Sequence, residues 1–363
     1  MTNDRQHGFR RNRGTHTALA TLNETLARDL RRGHSIDIVM RDVTKAFDKV
    51  WHDGLKFKIE QLRLPNDCFT KILCNYLDNR TAKIRLGTFT GHDFTLNTGV
   101  PQGACLSPTL YSFYIHDLPE PIPQTDYIAF ADDITQIISS NRTPKFLAKL
   151  TERAIEQISN FEKHWKIQTH TGKFTIVNIA RKNTAIVHNQ DQTIIPYSKE
   201  GKVLGLTINQ GGFAPQTYQR RAIALSRLNK LNRFRKLSQP AKLRLYTSTV
   251  RSALLYPTIP LHTLSKPQIS RLQKVQNAAT RFITGHTRIE AISSQTLHHM
   301  SNLTPINTYL HQLANSTWTK IKSTNPQLFN KFPHQPDATY NSRRNFPSSK
   351  RLALQPPPAP LYL

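Results

Sequence analysis

The sequence predicts an α+β fold followed by an all-helical, strongly basic region and a flexible basic tail. Three observations carry that prediction. Up to about residue 210, helical periodicity alternates with short β-branched runs that read as strands, whereas beyond Gly211-Gly212 only helical periodicity remains. The charge changes at the same place. Of 363 residues, 50 are Lys or Arg and 23 are Asp or Glu, a net charge of +27. Residues 1–200 hold 27 bases and 21 acids, while residues 201–363 hold 23 bases against Glu290 and Asp337 alone. The last thirty or so residues are rich in Pro, Ser and Asn and have no period, the composition of a chain that buries too little to order itself.

A surface that cationic repels itself unless it meets a polyanion. Nucleic acid is therefore the first partner to consider and an anionic membrane face the second. No run approaches the roughly 18 apolar residues of a membrane span, and MTNDRQHGFRRNR lacks the apolar stretch of a secretory signal. Cys68, Cys74 and Cys105 give neither a disulfide framework nor a CxxC metal spacing. The expectation is an intracellular chain with no membrane and no disulfide partner.

The elements follow in order. Leu19, Leu22, Leu26 and Leu30 repeat at helical spacing over 15–32. SIDIVMRDV turns from alternating to solidly apolar, as a strand buried on both faces would, and ends at Asp42. Two helices follow, one with Trp51, Leu55, Ile59 and Leu62, the other with Phe69, Ile72, Leu73, Tyr76 and Leu77, separated at Leu64-Pro65-Asn66. TAKIRLG and DFTLNTG predict a hairpin across Thr90-Gly91. GVPQGACLSP is a Gly/Pro loop before the helix TLYSFYIHDL. YIAFA and ITQII predict two strands with Asp132-Asp133 at the tip between them. A long helix over 144–166 leads to strands at FTIVNIA, TAIVHN and KVLGLTIN, and a domain boundary is expected at 210–215. Helices then span 218–237, 240–256, 266–283 and 307–321.

Three carboxylates stand out. Asp42 closes a buried strand, and Asp132 and Asp133 are adjacent between apolar strands. Such a group is costly unless a cation neutralises it. Hard divalent ions favour oxygen ligands, and a pair of them suits phosphoryl transfer. Each piece alone has a bland reading, since an Asp-Asp turn can be a solvated β-turn and an Asp after a strand is common.

The ordered set is more specific. DVTKAFDKVWHDGL, NTGVPQGACLSPTLYSFYIHDL, YIAFADDI and KVLGLTI resemble motifs A, B, C and E of reverse transcriptases, and more narrowly those of non-LTR (LINE-type, Jockey-like) retrotransposons. QHGFRRNRGTHTAL resembles that group's motif 2, and LQKVQNAATRFITG is similar to a segment that follows its thumb. The resemblance runs through most of residues 6–300. It implies a right-hand polymerase: partial fingers at 1–35, a palm with a fingers insertion at 36–212, a helical basic thumb and post-thumb region at 213–325, and a disordered tail at 326–363.

The implied activity is RNA-directed DNA synthesis from dNTPs on an RNA template with a DNA primer. The implied catalytic residues are Asp42, Asp132 and Asp133, holding two Mg²⁺ ions for which Mn²⁺ can substitute, with Val43 in the same metal set. Phe47 falls where the family has a steric gate against a ribose 2′-hydroxyl, although by itself it also reads as core. Gln102 and Gly103 would shape the nucleotide pocket. Arg10 and Arg13 would clamp the triphosphate, a task suited to guanidinium forks, and unaided they read as an ordinary basic cluster. Lys173 would protonate the leaving pyrophosphate, although HTGKF departs from the family's N-P-x-K-T. Leu204 and Gly205 match the primer grip, with Val203 in place of its usual Tyr. Arg220, Arg221, Arg227, Lys230, Arg233, Arg235 and Lys236 would track the nucleic-acid backbone, where phosphate contacts position and base pairing specifies.

The family's first fingers motif and its endonuclease precede the GFR motif and are not seen in this chain, which reads as a fragment. The implied location is the nucleus, where target-site reverse transcription occurs, or the cytoplasm. A catalytically inactive copy that only binds nucleic acid is the alternative. An RNA-dependent RNA polymerase fits less well, because Ala131 stands where that class has Gly and Phe47 is aromatic.

Overall fold

The computed structural model describes residues 3–169, 174–179, 185–189, 191–258, 263–287 and 289–332. Lys173 and the tail beyond Phe332 lie outside the described residues. Two compact units emerge. The first comprises Met1–Gly14, Asp37–Ile176 and Thr184–Tyr197, and the second Thr15–Ile36, Val177–Asn183 and Ser198–Leu363. The last crossing falls at Tyr197, upstream of the boundary expected at 210–215.

In chain order, α1 (Thr15–Arg31), β1 (Ser35–Arg41), α2 (His52–Gln61) and α3 (Asp67–Leu77) come first. Then follow β2 (Thr81–Ala82), β3 (Arg85–Leu86), β4 (Phe89–Thr90), β5 (Phe94–Thr95) and α4 (Ser107–Tyr114). Next are β6 (Thr125–Phe130), β7 (Asp133–Ser140), α5 (Pro144–His164), β8 (Thr175–Ile179), β9 (Val187–His188) and β10 (Ile194–Ile195). The remainder is β11 (Glu200–Val203), β12 (Leu206–Asn209) and α6 (Ala214–Leu231), then α7 (Gln239–Leu245), a π-helical turn (Tyr246–Arg251) and α8 (Ser252–Leu254). Last come α9 (Lys266–Thr284), α10 (Ser294–Ser301), α11 (Ile306–Thr324) and α12 (Pro326–Asn330).

The central sheet has the order β6-β7-β1-β8. With a neighbour on each side, β1 is buried at every position, which explains its unbroken apolar run. Helix α5 starts at Thr143, whose hydroxyl accepts from the Phe146 amide at 3.3 Å, with Pro144 preset for the first turn. Its Leu147, Leu150, Ala154 and Ile155 pack with Val39 and Ile138 of the sheet. A second core joins Val50, Leu55, Ile59, Leu77, Leu110, Tyr111, Tyr114 and Ile158. Within it Lys58 is buried, with its ammonium 3.6 Å from the Trp165 ring centre, 4.9 Å from that of Phe161 and paired with Asp117 at 2.5 Å.

Two local readings change. β3 and β4 pair Leu86 with Phe89, so the tight turn is Gly87-Thr88 and not Thr90-Gly91, and β2 with β5 forms an outer rung. KVLGLTIN is no single strand. β11 and β12 form a hairpin whose turn residues Leu204 (φ 48°) and Gly205 (φ 78°) are both left-handed, the geometry that lets a two-residue turn follow strand twist.

In the second unit, Leu228, Tyr246, Val250, Leu272, Val275, Ala279, Ile283 and Leu310 form the main core. A capping box at Ser265 opens α9, and Gly285 closes it with a left-handed φ. The LQKVQNAATRFITG segment supplies Gln273 and Gln276, both fully buried. Their amide nitrogens reach His298 Nε2 at 3.0 and 3.2 Å, and Gln276 also accepts from Tyr246 at 2.9 Å. Helix α10, absent from the sequence reading, is held by this polar hub. Residues 326–332, read as tail, are also structured, with Leu328 and Phe332 burying against Trp318.

Candidate active site

Asp42 follows directly on β1, and the residue before it fixes the strand end. Arg41 is buried; its guanidinium lies 3.0 Å from Glu162, donates to the Ile155 carbonyl and Ser159 hydroxyl at 3.2 and 3.3 Å, and covers the Phe174 ring. These partners on α5 offset part of the cost of burying its charge. Beyond Asp42, Val43 turns its side chain into the core and pairs with Thr169, and the Thr44 amide donates to the Gln168 carbonyl at 2.8 Å.

Asp132 and Asp133 sit on the β6–β7 hairpin. Its last pair is Phe130 with Asp133, so Ala131 and Asp132 make the turn and Asp133 opens β7. Burial, then the charges of Asp132 and Asp42, push the Asp133 carboxyl up to about 6. Asp132 is raised by burial and by Asp42, against its own backbone amide. The fold thus brings the three carboxylates within one another's electrostatic reach. Among the described residues neither Asp132 nor Asp133 has an ion-pair partner, and no three His, Cys, Asp or Glu side chains form a ready metal cage.

Phe47 is half-buried and stacked on Tyr111, with ring centres 5.1 Å apart and 21° between planes, while Phe9 meets it edge-on at 6.1 Å. Burial and the Asp132 charge raise the Tyr111 hydroxyl far above its usual value. The GVPQG loop is tied to the same segment. The Phe47 carbonyl accepts from the Val100 amide at 2.7 Å, and Gln102 Nε2 donates to Asp48 at 2.7 Å. Gly99 (φ 87°) is needed here, because a Cβ would stand 2.7 Å from the Asp48 carbonyl oxygen. Gly103 also has a left-handed φ, 87°.

Arg10 and Arg13 fold back on the N-terminal segment. Arg10 donates to the Asn3 carbonyl at 2.7 Å and Arg13 to the Asp4 carbonyl, with Asp4 Oδ1 3.3 Å from Arg13. Leu204 and Gly205 form the β11–β12 turn in the second unit. There the Leu204 carbonyl accepts from Tyr256 at 2.7 Å and the Gly205 carbonyl from Arg220 at 2.6 Å. Arg220 therefore already has a backbone partner. Arg221, Arg227, Lys230, Arg233, Arg235 and Lys236 are exposed along and just beyond α6. Sequence reading missed Tyr111, Tyr256 and Gln6; the first two sit in helical apolar patterns that read only as core. No helix among the described residues is long and apolar enough to cross a membrane.

Residues 1–208 match the reverse transcriptase (RNA-dependent DNA polymerase) family, and the chain belongs to it. Similar curated proteins of Drosophila melanogaster include the probable RNA-directed DNA polymerase from transposon BS, 28% identical over 83% of this chain and 34% of that protein. The probable RNA-directed DNA polymerase from transposon X-element is 27% identical over 78% of this chain and 32% of its own length. That from mobile element jockey is 24% identical, over 77% and 32%. These names bear out the resemblance to LINE-type reverse transcriptases. The chain spans about a third of the length of these relatives. Among solved structures, apo telomerase from Candida tropicalis is similar over 86% of this chain and 56% of that one, at 14% identity and a TM-score of 0.43.

Proposed function

We propose that this chain is the RNA-directed DNA polymerase of a LINE-type retrotransposon, joining dNTPs to a primer 3′-hydroxyl along an RNA template. The observation that carries it is the placing of Asp132 and Asp133 within electrostatic reach of Asp42, where burial and the neighbouring charges raise both the Asp132 and Asp133 carboxyls. That electrostatic stress fits a divalent cation, because carboxylate oxygens are the donors Mg²⁺ prefers and water and substrate phosphates complete its shell. Asp42, Asp132, Asp133 and the Val43 backbone would hold Mg²⁺, or Mn²⁺ in its place. When bound, such ions activate the attacking hydroxyl and stabilise the leaving oxygen.

The chain's own residues supply the rest. The primer oxygen bonds to the α-phosphorus as the bond to the β-phosphate oxygen breaks and pyrophosphate leaves. Phe47, stiffened by its stack on Tyr111, would exclude a 2′-hydroxyl by overlap. Gln102, hydrogen-bonded to Asp48, and Gly103 would floor the nucleotide pocket, Arg10 and Arg13 would clamp the triphosphate, and Lys173 would protonate the leaving pyrophosphate. Leu204 and Gly205 would support the primer. The exposed bases of α6 would follow the template-primer backbone without reading sequence. In this reading fingers, palm and thumb follow the order expected from the motifs, and the location is nuclear.

The test is primer extension on poly(rA)/oligo(dT) with dTTP and Mg²⁺, comparing wild type with Asp132→Asn. Extension by wild type alone is the expected result. Salt-sensitive binding of the template-primer without extension would overturn the polymerase reading and leave a nucleic-acid-binding remnant.

A further inference from the structure

Residues 5–8 run alongside β6, the edge strand of the central sheet. The Ala129 amide donates to the Arg5 carbonyl at 3.0 Å, the His7 amide donates to the Ala129 carbonyl at 2.8 Å, and Gln6 pairs with Ala129 in the parallel sense. This arm ends beside the turn that carries the carboxylates. There the Gln6 side chain, 3% exposed, grips the backbone of one residue. Its Oε1 accepts from the Ala131 amide at 3.0 Å and from the Gly8 amide at 2.8 Å, and its Nε2 donates to the Ala131 carbonyl at 3.2 Å. Ala131 has φ 56°, a left-handed conformation disfavoured for a residue with a Cβ, and it immediately precedes Asp132. Contact is close enough that a Cβ on Gly8 would lie 2.3 Å from the Ala131 nitrogen.

We propose that Gln6 is a positioning residue for the catalytic carboxylates, clamping Ala131 in its left-handed conformation so that Asp132 and Asp133 hold a single arrangement. The chemistry of the side chain supports this assignment. A primary amide presents a donor and an acceptor at one end and so matches the N–H and C=O of a single residue. A carboxylate supplies only acceptors and a thioether almost nothing. The amide is also neutral, so it grips the turn without quenching the negative charge beside it. A buried polar side chain with both ends satisfied is rigid, and catalytic geometry depends on such support.

The inference rests on the reading of Asp132 and Asp133 as catalytic, and its test separates the two. Gln6→Met and Gln6→Glu are compared with wild type in primer extension and in amide hydrogen exchange of the segment 127–134. In Gln6→Met kcat is expected to fall tenfold to a hundredfold, as about 1 Å of misplacement can cause. The dTTP KM and template-primer Kd should stay within about threefold, and exchange at 129–133 should rise at least about tenfold while α5 and the β11–β12 hairpin keep their protection. Gln6→Glu, which retains the acceptor, should fall between, and it decides the matter if the Met variant fails to fold. Unchanged kcat and unchanged exchange at 129–133 would overturn the proposal, as would exchange rising uniformly through the chain. If wild type proves inactive, or Asp132→Asn costs nothing, the polymerase reading fails, and the exchange comparison still decides the clamp.

Discussion

The molecule contains two tight hairpins built alike and held differently. In β6–β7 the turn is Ala131-Asp132, with the first residue left-handed; in β11–β12 it is Leu204-Gly205, with both left-handed. The first is gripped by a neutral amide, Gln6, on the backbone of Ala131. The second has its carbonyls taken by a cation and a phenol, Arg220 and Tyr256. The difference follows from charge. A guanidinium beside Asp132 and Asp133 would neutralise the carboxylates and occupy the place of a metal ion, whereas the uncharged Leu204-Gly205 turn loses nothing to one. Elsewhere in the first unit two buried cations are matched, Arg41 with Glu162 and Lys58 with Asp117. Among the described residues Asp132 and Asp133 have no such counter-ion, at the turn where the proposed chemistry needs their charge.

The largest effect should come from the first turn. Asp132→Asn is expected to lower primer extension by more than about a hundredfold while leaving the thermal midpoint within a few degrees or raising it, because it removes a repelling charge. A large loss of stability without that loss of activity would break the contrast between the two turns.

Next in size is Lys58, the measure of a buried charge that does have partners. Burial, opposed by Asp117, lowers its ammonium from 10.5 to about 8. Between those values the unfolded chain binds more protons than the folded one, so stability should rise with pH across that window and be lowest relative to Lys58→Met below pH 8. The gain is on the order of 3 kcal/mol at most, read from denaturant unfolding between pH 7.5 and 10.5. A flat difference between the two proteins would show that Asp117 and the surrounding rings compensate the charge fully.

At the second turn, Tyr256→Phe removes one hydrogen bond to Leu204 and should cost about 1 kcal/mol. Nucleotide addition per bound template-primer should change little. A selective fall in kcat would instead make this turn resemble the first. Smallest per residue is the basic face: each of Arg221, Arg227, Lys230 and Lys236 changed to Ala should weaken template-primer binding similarly on every sequence. Each should flatten the slope of log K against log salt by about 0.9 if it meets a duplex phosphate. An unchanged slope for all four would remove this face from the interface.

Much of this was legible beforehand because it is local. A β-branched run ending in Asp42, an Asp pair between apolar strands and helical periodicities each depend on neighbours within a few residues. Less was legible where short segments pair. The nested β2–β5 hairpins and the β11–β12 hairpin turn on register and on left-handed residues, which hydrophobic pattern leaves open. Helix α10 escaped notice because a buried hub of Gln273, Gln276 and His298 holds it, and polar residues give no apolar period.

By itself, then, the sequence determined the order of motifs, the carboxylates, the charge asymmetry and the family. Chemistry is written in residue types and short spacings, and these survive without coordinates. Tertiary structure alone decided what holds the chemistry in place. Gln6 and Ala131 are 125 residues apart in the chain, Arg220 turns from a free cation into a backbone clamp, and Tyr111 lies under Phe47. Such pairings are set by the packing of whole elements, and a single side chain carries no local mark of the distant backbone it will meet.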